Sequence, residues 1–357
     1  MTGGNTLLYE HTKSVAFNRG KFRSLVLTPD NTFYDVVNAY ERAYIQQART
    51  VYPGDLDDYR TTIVNQFYRQ VGSSEGQYPN PIKLGDAGWV EYATGEDFSD
   101  AVRVEGSTIY NVIPGVKYLY RNDRGEKGTF TAAGPLRTIR IEGVPNIRDL
   151  GGWQAGDRRI RYGRIYRGGR LDKIVNQNDI LDLGVEVDLD LRGNPPGSQG
   201  GSGESYPVKA LEYANIQVLM FMSAQNGQNG VTADLYQASI RQVIQWLDEG
   251  KRVYFHCHGG ADRTGTLAFL IETLLGVSEV DANIDYELTT FSGSLRERTA
   301  VNYYQYPFKR LITYLKGQFG GATLQETVTN WATTRHSDAV DPLTLEEIGK
   351  LKSLLLE

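Results

Sequence analysis

The sequence predicts an α/β protein: a layered domain of alternating strands and helices, preceded by an accessory region that is first helical and then a small β layer. Three observations carry this. From Arg137 onward, short apolar strand-like runs lead into helices of ten or more residues, the rhythm of βα units. Between Gly88 and Asp123 the chain shows only short β-like runs broken by Gly, Asp and Pro-Gly turns. Before them, Thr32 to Gly72 has helical patterning. At 357 residues the chain exceeds one average domain, and its composition divides it into a mainly helical segment over 1–80, a β accessory domain over 81–136 and the layered domain over 137–357.

Taken in order, the first helices are TFYDVVNAYERAYIQQARTVY and LDDYRTTIVNQFYRQVG, separated by Pro53-Gly54. The β region follows as WVEYAT, VRVEGSTIYNVI and KYLYRND, with Pro114-Gly115 turning into the last. TIRIEGV opens the second unit as a strand, NIRDLGGW is a Gly-ended turn, and RRIRYGRIYRGG holds strands joined at Gly163. In VEVDLDLR, Val185, Val187, Leu189 and Leu191 alternate with Glu186, Asp188 and Asp190, the two-residue period of a strand. GNPPGSQGGSGES then reads as a loop, either functional beside a strand end or a plain surface connection. Thr232 can cap a helix whose apolar side is Tyr236, Ile240, Val243, Ile244 and Leu247, ended by Gly250. The strand RVYFHC leads through a glycine-containing loop to the helix RTGTLAFLIETLLG. Four more helices close the chain: VDANIDYELTTF, YPFKRLITYLKGQF, LQETVTNWATT and TLEEIGKLKSLLLE.

Hydrophobic residues at 40% and charged residues at 23% are ordinary globular values, and no apolar run approaches the roughly 18 residues that span a bilayer. A net charge of −5 argues against a general nucleic-acid binder, while leaving room for one basic pocket. The single cysteine excludes an intrachain disulfide and a Cys-rich zinc site. MTGGNTLLYEHTKSVAF lacks the basic segment, apolar core and cleavage site of a signal peptide. That fits a cytoplasmic protein, or one exported to the periplasm or cell envelope if a leader once preceded it.

The lone cysteine lies in VYFHCHGGADRTGTLAF, with Arg263 six residues beyond Cys257, between an apolar strand and a helix start. A loop of this length can wrap so that its N–H groups, from His258, Gly259, Gly260 and Ala261, converge with the free N–H groups of the helix as an anion cradle. Gly259 and Gly260 permit the close approach, and Arg263 adds a planar fork that matches two phosphate oxygens. The same donors stabilise a thiolate, lowering the cysteine pKa by one to several units from about 8.5. A nucleophile seated under a phosphate site implies in-line attack on phosphorus through a phosphocysteine. Thr264 can donate a hydrogen bond to the sulfur, and His256 orders the loop, since a thiolate needs no base.

HCHGGADRTG resembles the His-Cys-x5-Arg-Ser/Thr signature of the protein tyrosine phosphatase superfamily. With NIRDLGG, IYRGGRL, DLR and VSEVDANIDYELT it resembles the bacterial tyrosine/serine phosphatases with lipid-phosphatase-like loops, over about Thr138 to the C-terminus. The resemblance implies a phosphatase-like domain, a central sheet flanked by helices. It implies a metal-independent cysteine phosphomonoesterase with no cofactor, acting on phosphotyrosine, phosphoserine/threonine or phosphoinositides. By position, Cys257 is the nucleophile, Arg263 the phosphate clamp and Asp262 the loop aspartate, the first choice of general acid because a Trp-Pro-Asp loop is absent; pairing of Asp262 with a neighbouring arginine is the alternative. Family members commonly carry a lysine where this chain has Ala261, which bears on phosphoinositide preference. Asp190 and Arg192 of DLR can face the pocket from a neighbouring strand end, and Asp149 either does so or stabilises its turn. Six arginines between Arg158 and Arg170 read as a basic rim or as a solvated strand face. Separately, TIYNVIPGVKYLYR resembles the later strands of a fibronectin type III-like sandwich, with a β layer of another kind as the alternative.

The rival readings are a structural cysteine, a His-Cys-His metal site, a phosphate-binding pseudophosphatase module, and an inositol polyphosphate or phosphoinositide phosphatase of the cysteine type. The expected partners are a phosphorylated protein, a phosphoinositide or a small phosphomonoester, with no nucleic acid and no integral membrane segment.

Overall fold

A computed structural model of the chain describes residues 33–35, 45–46, 49, 79, 81–134, 136–193, 208–219, 229–292 and 307–357. The first departure from expectation comes at its start. The helix read from Thr32 does not begin there: Phe33–Asp35 is a strand, β1, running parallel to Thr131–Ala133. Aromatic residues favour the extended state when a sheet edge supplies partners. Ile45, Gln46 and Arg49 are helical, while most of the first helix and all of LDDYRTTIVNQFYRQVG lie outside the described residues.

The β layer follows as β2 (Ile82–Lys83), β3 (Trp89–Ala93), β4 (Val102–Glu105), β5 (Thr108–Ile109), β6 (Lys117–Asn122) and β7 (Lys127–Ala133). One sheet has the order β1-β7-β6-β3-β4, and β2 pairs with β5 separately. Ile82, Val90, Ile109, Val112 and Phe130 form its core, with Tyr118 stacked on Phe130 at 5.2 Å. The strand β7 was not foreseen. It returns from β6 through a turn in which the Asn122 side chain accepts from the N–H groups of Arg124 and Glu126.

The second sheet contains β8 (Arg137–Thr138), β9 (Arg148–Asp149), β12 (Ile165–Gly168), β13 (Val187–Asp190), β14 (Glu212–Asn215) and β15 (Val253–His256), in the order β14-β13-β15-β12-β9-β8. A small hairpin, β10 (Gln154–Ala155) with β11 (Arg158–Arg159), stands beside it. The four strands β14, β13, β15 and β12 are parallel, and β9 and β8 are antiparallel additions. TIRIEGV therefore forms less strand than expected, β8 plus a single bridge between Ile141 and Val144, because Pro145 cannot donate to a ladder. NIRDLGGW, read as a turn, contributes β9, and β14 was not anticipated.

Helices α1 (Asn178–Leu181), α2 (Asn229–Asp248), α3 (Asp262–Leu275), α4 (Glu279–Glu287), α5 (Pro307–Phe319), α6 (Leu324–Ala332) and α7 (Leu345–Leu355) complete the fold. Most of GNPPGSQGGSGES lies outside the described residues, and α2 starts three residues before Thr232. Strand alternation divides the cores. Val253 and Phe255 of β15 face the helices, while Tyr254 packs on the other side with Tyr166, Ile180 and Leu183. Every residue of α3 from Thr264 to Leu275 is buried, because α2, α4, α6, α7 and the sheet all pack around it. Among the described residues no helix is long and apolar enough to cross a membrane.

Arg137 fastens the two sheets. Its Nη1 donates to Asp149 Oδ2 and the Tyr166 hydroxyl, both at 3.0 Å, and its Nε donates to Asn111 O of the β layer at 3.1 Å. Asp149 also accepts from the N–H groups of Gly151 and Gly163 at 2.8 and 2.7 Å. Of its two expected roles it takes the turn-stabilising one. Replacing Asp149 with Ala leaves a buried guanidinium uncompensated, so urea unfolding should report a loss of about 3–5 kcal/mol, with phosphate affinity at the Cys257 loop little changed.

Candidate active site

Parallel strands end together, and the carboxyl edge of such a sheet is where a ligand meets converging loops. Here Gly168 and Asp190 are both in register with His256, and the next residue is Cys257. The loop from Cys257 to Ala261 then turns into α3.

The conformation of this loop is set from outside. His256 Nδ1 lies 2.9 Å from Cys257 O, and the N–H of Arg170 donates to His258 O at 3.2 Å. Asn146 Nδ2 donates to Gly259 O and Gly260 O at 3.3 and 2.9 Å, and Arg167 Nη2 donates to Gly260 O at 2.8 Å. Across a trans peptide the carbonyl of one residue and the N–H of the next point in opposite directions, and the described chain has no cis bond. Four carbonyls held outward therefore turn the N–H groups of His258, Gly259, Gly260 and Ala261 inward. Gly260 is required: its φ is +68°, and a Cβ there would sit 2.4 Å from the Gly168 carbonyl carbon.

Behind the loop stands a buried ion network. Asp285 of α4 accepts from Arg148 Nε at 3.2 Å and from Arg167 Nη1, and Arg148 Nη1 donates to Asn146 Oδ1. Both arginines and Asp285 are at most 4% exposed at their side chains. Burial raises the Asp285 pKa, but the two guanidinium groups outweigh it and keep the carboxyl below its ordinary value. Neither NIRDLGG nor DYELT discloses these roles as sequence, because side chains more than a hundred residues apart meet only in the fold.

Cys257 is 4% exposed. Burial alone raises its pKa, yet the Arg263 guanidinium and the hydroxyl and N–H of Thr264 hold the thiol below its ordinary value, against the opposing charge of Asp262. The Thr264 hydroxyl is buried and near the sulfur without full hydrogen-bond geometry. Among the described residues no carboxylate pairs with Arg263. His258 is held below its ordinary pKa by partial burial and by the charges of Arg170, Arg192 and Arg263.

His256 orders the loop as a cation. Burial opposes its protonation, but Asp188, 3.2 Å from Nε2, and Asp190 at 3.9 Å push its pKa from 6.5 up to about 9. Asp190 in turn holds Arg192, which also pairs with Asp172 at 2.7 Å, and accepts from the Tyr213 hydroxyl at 3.0 Å. Asp190 thus lies at a strand end in register with His256, with Arg192 held beside it. Asp262 accepts from the Tyr286 hydroxyl at 2.8 Å, a partner not anticipated.

The arginine run does not form one rim. Arg158 and Arg161 are exposed, Arg159 pairs with Glu357, and Arg164 donates to Gly250 O and Leu247 O at the far end of β12. Only Arg167 and Arg170 reach the loop, since successive residues of an extended chain travel away from any one point. A cavity of about 560 Å³, lined by Tyr92, Arg137, Arg164 and Arg252, also lies at that far end, away from Cys257.

Two outcomes follow. Gly260→Ala should weaken inorganic phosphate binding by at least about tenfold in calorimetry, since at least one N–H donor must leave the cradle. Because the folded pKa of His256 lies above its ordinary value, its ion pairs contribute fully below about pH 6.5, and that contribution is lost as pH rises through about 9. The loss amounts to about 3 kcal/mol; NMR titration of the imidazole, and its downward shift in Asp188→Asn, check it.

A family model described as the tyrosine phosphatase family matches residues 139–334. A Cupriavidus necator protein named "Putative tyrosine-protein phosphatase" is 30% identical over 171 residues, 42% of this chain and 61% of the relative. The chain thus spans less than two thirds of the length of the relative it matches.

Proposed function

The chain belongs to the tyrosine phosphatase family, and from that premise we propose that it is a phosphoric monoester hydrolase acting through a phosphocysteine. The observation that carries this reading is the outward fastening of the carbonyls of Cys257, His258, Gly259 and Gly260, which gathers their N–H neighbours over a thiol of lowered pKa.

In this mechanism the three non-bridging phosphate oxygens occupy the cradle and the Arg263 fork. The Cys257 thiolate attacks phosphorus in line with the leaving oxygen, the P–O bond breaks, and its electron pair goes to that oxygen with a proton from Asp262. Water then attacks phosphorus, Asp262 takes its proton, and the P–S bond breaks to restore the thiolate. Thr264 eases that departure, and His256⁺ behind the loop favours negative charge on the sulfur. The cradle and Arg263 recognise the phosphoryl group alone, which supports broad specificity across aryl and alkyl phosphomonoesters, phosphotyrosine and phosphoserine/threonine among them. Ala261 adds no positive charge, so a phosphoprotein or small phosphomonoester is favoured over a polyphosphorylated inositol headgroup.

Residues 137–357 would form the phosphatase domain, with 1–80 and 81–136 accessory. The paired sheets β1-β7-β6-β3-β4 and β2-β5, with the turn at Pro114-Gly115, support a fibronectin type III-like reading of the second segment.

Cys257→Ser should abolish p-nitrophenyl phosphate hydrolysis while retaining phosphate binding; unchanged turnover would exclude the covalent route, and no turnover by the wild-type protein would favour a binding module. Asp262→Ala should slow alkyl phosphates roughly tenfold or more beyond its effect on p-nitrophenyl phosphate, whose leaving group hardly needs a proton. Equal losses on both would remove Asp262 as the acid.

A further inference from the structure

The carboxyl edge of the sheet presents more than the loop. Gly168 of β12, Asp190 of β13 and His256 of β15 lie in register, with β15 in the middle. Two residues beyond each of them come Arg170, Arg192 and His258. After partial burial, Arg170 is the strongest influence lowering the His258 pKa, followed by Arg192 and Arg263, so these guanidinium groups gather around the residue that follows Cys257.

The two arginines at the strand ends are not equivalent. Arg192 is committed to structure: its Nε and Nη2 donate to Asp190, its Nη1 donates to Asp172 Oδ2 at 2.7 Å, and its side chain is 7% exposed. Arg170 has no such set of partners. Its side chain is 29% exposed, and its ion pair is with that same Asp172 oxygen at 3.5 Å, beyond ordinary hydrogen-bond range. Among the described residues its guanidinium donates no hydrogen bond. A planar fork of N–H donors is therefore left open beside the loop, while the backbone N–H of the same residue is fixed to His258 O at 3.2 Å.

We propose that Arg170 forms a second anion subsite at the rim of the Cys257 loop, taking the carboxylate of an acidic residue that flanks the phosphorylated residue of a protein substrate. This rests on the reading of the loop as a phosphoryl site, which the cradle and Arg263 serve. Arg263 belongs to α3 and Arg170 follows β12, so the two forks stand on different elements and can hold two groups of one substrate. A carboxylate matches a guanidinium fork through two parallel hydrogen bonds and is neutralised by a single cation. A second phosphate carries nearly two charges and calls for another cation, yet Arg192 is held by its carboxylates and position 261 is an alanine. Asp172 steadies Arg170 from a distance without saturating it.

The test uses two phosphopeptides that differ only in a Glu or a Gln beside the phosphoresidue. For the wild-type protein kcat/KM should favour the Glu peptide about 5- to 10-fold, mainly through KM, as one charge-assisted pair at a partly exposed site allows. Arg170→Gln keeps the backbone N–H on His258 O, and in it the preference should fall below about twofold; Arg170→Lys should restore only part of it, since an ammonium has the charge but not the fork. Binding of the same peptides to Cys257→Ser should show the same pattern of affinity ratios. Because binding needs no turnover, that ratio decides the subsite separately from hydrolysis. A wild-type protein silent on p-nitrophenyl phosphate would remove the hydrolase, and an Arg170-dependent Glu preference in Cys257→Ser would still uphold the subsite. No Glu preference in the wild-type protein, or one that persists in Arg170→Gln, would overturn the proposal. So would a loss of inorganic phosphate affinity in Arg170→Gln as large as its loss of Glu-peptide affinity, which would place Arg170 in the phosphoryl site itself. A sugar bisphosphate preferred over its monophosphate more strongly than Glu over Gln, with the same dependence on Arg170, would overturn it in favour of a second phosphate.

Discussion

The loop at Cys257 has its shape because one buried carboxylate holds two buried arginines. Asp285 fixes Arg148 and Arg167, Arg148 fixes Asn146, and Asn146 and Arg167 together hold the carbonyls of Gly259 and Gly260. Taking three ions out of water is costly, and such a cluster adds little stability compared with an apolar one. What it supplies is direction. A guanidinium anchored on one side presents its remaining donors at fixed angles on the other, and a loop whose carbonyls meet those donors has its N–H groups oriented before any anion arrives. Glu272 is buried near the cluster, and burial and the charge of Asp285 raise its pKa well above the ordinary range.

Electrostatics on the two sides of the loop work in the same sense. In front, partial burial and the charges of Arg170, Arg192 and Arg263 hold the His258 pKa below its ordinary value. Behind, protonated His256 sits between Asp188 and the Cys257 carbonyl. The acidic residues of the neighbouring strand, which by charge alone would oppose a thiolate, are thus spent on a histidine and an arginine. The net effect at the sulfur is a lowered pKa in a site that is almost fully buried.

Much of this was legible in the sequence where a pattern is local. The alternation in VEVDLDLR, the strand RVYFHC, the helix after it and the Cys-x5-Arg spacing are each set by neighbours within a few residues, and they appear as β13, β15, α3 and the loop. What was not legible depends on partners distant in sequence. Phe33–Asp35 is a strand only because β7 offers an edge, and β14 exists only beside β13. The arginine run looked like one feature because its members are adjacent in sequence, yet the structure distributes them along the length of β12 and its flanks. Asp149 could be weighed between two roles but not assigned until Arg137 was seen beside it.

The span of the contacts that shape the loop has a kinetic meaning. Asn146 and Arg167 reach its carbonyls across 113, 114 and 93 residues, so no local segment can form the cradle in advance. Loop closures of that length come late when a chain folds. Helices and hairpins can be complete while the N–H groups of residues 258–261 still point at random, and they take their orientation only when α4 docks against β12. For this chain, the ordered loop would be a late product of assembly, shaped after the helices and hairpins that carry it.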